Sequence, residues 1–61
     1  MANLTTEELK GLSEELGAEK TLITKYKAYA EMTTDPTIRS MCESLAGQHM
    51  NHFDTLMMNF Q

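Results

Sequence analysis

Between residues 9 and 30, apolar side chains return every three or four positions: Leu9, Leu12, Leu16, Ile23, Tyr26 and Ala30. Glu19 fills the one polar step in that series. Such spacing follows the α-helical turn and not the alternation of a strand. The start of the helix is marked by Thr5-Thr6-Glu7-Glu8, a capping box with Thr5 at the N-cap and Glu8 three residues on. Leu4 and Leu9 stand where a hydrophobic staple would clamp the entering chain. Gly11 and Gly17 weaken the stripe by about 1 kcal/mol each relative to alanine, which predicts fraying ahead of Gly17.

The pattern breaks at Thr33-Thr34-Asp35-Pro36. Proline pushes Asp35 out of helical geometry. Asp35 and Pro36 also suit the N-cap and first position of a new helix. A second stripe then runs Ile38, Cys42, Leu45, His49, His52 and Leu56, flanked by Met41, Phe53, Met57 and Phe60. The predicted elements are helices over about 6–33 and 36–59 of one domain, 1–61, with no strand and no internal linker. So short a connection makes the helices antiparallel neighbours. The expected fold class is all-α, an antiparallel two-helix hairpin.

Two helices touch along a single seam. Leu22, Tyr29, Met41, Phe53, Met57 and Phe60 therefore need a further layer. A chain of 61 residues buries only about 60% of its unfolded surface, so a lone fold is marginal without a staple. Cys42 is the single cysteine, which excludes an internal disulfide and a cysteine-rich zinc pattern. Pairing of two hairpins into a homodimeric four-helix bundle is the expected remedy.

Charge narrows the partners. The net charge is −4, and the five basic residues are scattered, so no basic footprint for nucleic acid or an anionic membrane exists. No apolar run approaches the roughly 20 residues of a membrane span. Met1-Ala2-Asn3-Leu4 lacks the basic and apolar regions of a signal peptide. The chain is therefore expected to remain in the compartment where it is made, the cytoplasm.

The candidate chemistry lies where polar residues interrupt the apolar stripes. From a turn centred near residue 34.5, Glu19 lies about 23 Å down the first helix. His49 and His52 lie about 22 and 26 Å down the second. An antiparallel hairpin thus brings all three to one height, with His49 and His52 sharing a helix face at i and i+3. Facing helices that project a carboxylate and imidazoles inward build a bundle-core metal site, and imidazole-rich ligation suits zinc, copper, nickel or iron. The same three residues are equally compatible with a metal-free network that pairs buried polar groups and sets helix register.

Other candidates are weaker. Glu15 is one turn from Glu19 and could add a second carboxylate, though a solvated helix face accounts for it. Tyr26, two turns from Glu19, could donate a proton or electron near a metal; a packed core tyrosine is the plainer use. The six methionines suit gap-filling, and Cys42 on the seam suits an inert buried thiol. No catalytic triad and no glycine-rich phosphate loop can be drawn, so no catalytic residue is assigned.

The run from Glu19 to Tyr26, followed by Tyr29-Ala30 and then Asp35-Pro36-Thr37-Ile38-Arg39, resembles the coat F family of bacterial spore coat proteins. The resemblance spans about Leu12 to Met58. That family is related in fold to the ferritin-like bundles, of which the rubrerythrins offer a second comparison. There a first-helix Glu precedes a Tyr by seven residues, as Glu19 precedes Tyr26 here, and the second helix carries Glu-x-x-His. In this chain that segment is His49-Met50-Asn51-His52. Glu19 thus matches the first carboxylate and His52 the histidine, while His49 replaces the bridging carboxylate. The replacement removes negative charge that would stabilise oxidised di-iron. The resemblance implies a spore-associated structural protein, partnered by itself and by other coat proteins, on half a ferritin-like bundle with an altered metal site for zinc or iron.

Overall fold

The capping box forms as its residue types dictate. The Thr5 hydroxyl accepts from the Glu8 backbone N–H at 3.1 Å, and Glu8 Oε1 accepts from the Thr5 N–H at 3.0 Å. In this computed structural model, which describes residues 3–60, the box opens helix α1, Thr6–Met32. Met1 and Ala2, half of the tetrapeptide behind the signal-peptide expectation, lie outside the described residues, as does Gln61.

Helix α1 is continuous through both Gly11 and Gly17. Leu12 and Leu16 beside them are half-buried, and such packing outweighs the roughly 1 kcal/mol propensity cost of a glycine.

Thr33 takes an extended conformation and stops α1. Its hydroxyl accepts from the Asp35 N–H at 3.1 Å. Asp35 Oδ1 in turn accepts from the N–H groups of Thr37 and Ile38, at 2.8 and 3.4 Å. Helix α2, Pro36–Met57, begins there with proline in its first turn. It ends two residues sooner than the predicted 59, because Met58–Phe60 tightens into a 3-10 turn. The Asn59 side chain donates to the Thr55 and Leu56 carbonyls, both at 3.4 Å, covering acceptors that a helix end leaves open.

One contact lay beyond the pattern of stripes. No basic residue stands in the last turn of α1, yet Arg39 reaches back across the turn. Its Nε donates to the Ala30 carbonyl at 3.1 Å and its Nη2 to the Thr33 carbonyl at 2.9 Å. A guanidinium from α2 thus caps the negative end of α1.

The helices run antiparallel along one seam, and the molecule measures 46 × 15 × 10 Å. Leu12, Leu16, Glu19, Ile23 and Tyr26 of α1 are half-buried, as are Leu45, His49, Phe53 and Leu56 of α2. Among the described residues only Ala30, Cys42 and Ala46 are buried, all in the half of the hairpin toward the turn, and no side chain is fully enclosed. Ala46 stands one turn beyond Cys42 and belongs to the seam, but a methyl group hardly registers in an apolar stripe. Leu9, Ile38 and His52 are exposed although their stripes pointed inward. A single neighbouring helix covers a narrower arc than those stripes subtend. Among the described residues there is no strand, and no helix is long and apolar enough to cross a membrane.

Candidate metal centre

About halfway along the seam the apolar packing gives way to Glu19, His49 and His52, and the hairpin brings all three together. One ligand atom from each lies within 4.8 Å of the others. His49 Nδ1 lies within hydrogen-bond distance of Glu19 Oε1, at 2.6 Å, and His52 Nδ1 lies 3.3 Å from the other carboxylate oxygen, Oε2. Each oxygen of one carboxylate therefore faces its own imidazole.

The three groups differ in their access to water. The side chains of Glu19 and His49 are 19% and 21% exposed, while that of His52 is 59% exposed. Two donors are anchored in the seam and the third closes the cluster from its rim. The His49 ring is further held by Tyr26, stacked on it with 2° between the planes and 5.9 Å between centroids. Tyr29 stands edge-on to Tyr26 at 6.1 Å, and His52 edge-on to His49 at 5.5 Å. Packing from both helices thus fixes the orientation of the half-buried imidazole. Lys25 Nζ sits 5.3 Å from the Tyr26 centroid and balances no charge within the cluster.

Donor chemistry and spacing both fit a transition metal. Tetrahedral zinc with bonds of about 2.0–2.1 Å separates its ligand atoms by roughly 3.3 Å. Of the two distances to Glu19, that from His52, 3.3 Å, matches this value and that from His49, 2.6 Å, is shorter, so a small withdrawal of His49 would open the required space. Two imidazoles and one carboxylate leave at least one coordination position for water or another ligand.

The other candidates fall outside. Glu15 is exposed and is not among the clustered ligands. Cys42 is a buried free thiol near the turn. Tyr26 is drawn in, as the residue that orients His49. Its position on the α1 stripe was legible, whereas the stack depends on the rotation of α2 and leaves no mark in spacing.

No family model matches this chain, and no curated protein or solved structure matches it with significance.

Proposed function

We propose that this protein binds a first-row transition metal ion, zinc or iron, through Glu19, His49 and His52, on a hairpin that pairs with a second copy as a four-helix bundle. The observation that carries the metal assignment is the convergence of three donor atoms within 4.8 Å, Glu19 lying 30 and 33 residues before the two histidines. The three polar groups interrupt, at one level, a seam otherwise built of apolar side chains such as Leu16, Ile23, Cys42, Ala46 and Phe53. Glu19 would neutralise part of the ion's charge, His49 would supply a preoriented nitrogen, and His52 would close from the solvent side. A metal bridging α1 and α2 would also stabilise a hairpin with little core, because ligands brought together only on folding link binding to stability.

An assembly role like that of the spore coat F proteins is supported by the ordered landmarks from Glu19 to Arg39. The exposure of Tyr29, Met32, Ile38 and Met41 supports it as well. Synthesis confined to sporulating cells would agree with that role; steady synthesis during vegetative growth would contradict it.

Calorimetric titration of the untagged protein with zinc sulfate tests the metal assignment. We expect saturation near one equivalent per chain, with binding lost or weakened about 100-fold in both Glu19→Ala and His49→Ala. Unchanged zinc affinity in those two variants would refute it.

A further inference from the structure

The hairpin exposes too much surface for its size. Its accessible area is 4695 Å², where a folded monomer of this mass exposes about 4,000 Å². The radius of gyration is 14.3 Å, against about 10.5 Å for a compact chain of this length. The excess of roughly 700 Å² is close to the 800 Å² or so that each partner contributes to a standard protein interface. A second copy is an occupant of the right size, and the question becomes which face it takes.

An α-helix turns about 100° per residue, which sorts the positions beside the seam into two flanks. One flank carries Leu22 and Tyr29 of α1 with Ile38, Met41, Leu45 and His52 of α2. Tyr29, Ile38 and Met41 are 48%, 47% and 59% exposed there. Its charges are few: Glu8 and Glu15, with Lys25 at the margin. The opposite flank presents Lys20, Lys27 and Glu31 of α1 with Arg39, Glu43 and Asp54 of α2, all exposed, among which Leu9, Met50 and Met57 are each 39% exposed, less than Tyr29, Ile38 or Met41. Four of the charged residues line a shallow groove beside Met50. Desolvating six charges is costly, whereas the first flank offers apolar side chains whose burial is favourable. A two-fold axis would set that flank against itself, as a symmetric dimer requires.

We propose that a second copy of this chain docks on the Leu22, Tyr29, Ile38 and Met41 face, covering the open His52 side of the Glu19–His49–His52 cluster, so that metal binding and dimerisation reinforce each other. The coupling rests on the metal assignment made above; the choice of face does not. His52 lies on the flank that pairing would cover and is the most exposed donor of the cluster. An imidazole moved out of water needs a partner, and a metal ion provides one. Pairing therefore favours the ligated cluster, and by reciprocity the ligated cluster favours pairing to the same degree.

Sedimentation equilibrium and far-UV circular dichroism over a concentration series, on the untagged full chain with zinc sulfate or with a chelator, test both parts. With chelator, Met41→Glu is expected to raise the association midpoint about tenfold or more, while Met50→Glu on the opposite flank leaves it within about twofold. Because the midpoint is read from mass and helicity together, the comparison holds even where the separated chain unfolds. Zinc is expected to lower the wild-type midpoint about tenfold or more, and His52→Ala to abolish that shift when its midpoint with zinc is compared with its own midpoint in chelator. A larger effect of Met50→Glu than of Met41→Glu would overturn the choice of face. Zinc that binds but leaves the midpoint unchanged would overturn the coupling alone. Zinc that does not bind would overturn the metal assignment and the coupling with it, while the chelator series still decides the face.

Discussion

Glu19 and His49, thirty residues apart in the chain, share a 2.6 Å hydrogen bond across the two helices. Both side chains are about four-fifths covered, so little water remains to replace either partner. Removing one leaves the other half-buried and poorly solvated, while replacing both with apolar groups is far milder. In a double-mutant cycle with Glu19→Leu and His49→Leu under chelator, the coupling is expected to be about 1 kcal/mol. Additive single effects in urea titrations would show that the contact contributes nothing to the fold.

Arg39 caps the carboxyl end of α1 from the far side of the turn, donating to the carbonyls of Ala30 and Thr33. Arg39→Ala should destabilise the hairpin by about 1 kcal/mol, the scale of an exposed charge-assisted cap. Asp35→Ala should cost about as much, since it removes the N-cap of α2. Thermal midpoints lower than wild type by several degrees in both variants are the expected readout; an unchanged Arg39→Ala would remove the cap from the account.

Glu8 supplies a pH dependence. The Thr5 backbone N–H donated to its carboxylate, aided by the Thr5 hydroxyl, holds the Glu8 pKa below its ordinary value of 4.5. A carboxyl lowered on folding stabilises the folded state above its unfolded pKa, and that contribution disappears as pH falls through the folded value. The stability gap between wild type and Glu8→Gln should therefore be full above about pH 4.5 and close below it. A gap that widened on acidification would contradict the capping role.

Gly17 lies within α1 with no positive φ, and a Cβ built there meets nothing within 4 Å. Gly17→Ala should raise stability by about 0.5–1 kcal/mol through helix propensity and a less flexible unfolded chain. A lowered urea midpoint would mean that this part of the helix is covered by something the hairpin alone does not include.

The hairpin was legible because its decisive signals are local. The Thr5 box, the Asp35-Pro36 start and the three-four spacing from Leu9 to Ala30 each act within one or two turns. The common height of Glu19, His49 and His52 was legible too, since an antiparallel turn and a fixed helical rise convert sequence distance into axial distance. Rotation about the helix axes was not. The spacing placed His52 and Ile38 on the seam, and both proved exposed, because the width of the covered arc depends on how closely the helices approach. Ala30, Cys42 and Ala46 allow that approach near the turn, and small side chains leave the weakest mark in a hydrophobic pattern. The reach of Arg39 to α1 and the stacking of Tyr26 on His49 likewise depend on rotamers chosen only once the helices meet.

The most direct test of the central claim is the metal content of the protein, purified without a histidine tag after growth with added zinc or iron. Elemental analysis should find close to one equivalent of metal per chain in the wild type and loss of most of it in Glu19→Ala and His49→Ala. Less than about a tenth of an equivalent in the wild type under either supplement, or equal content in all three proteins, would contradict a metal centre at Glu19, His49 and His52.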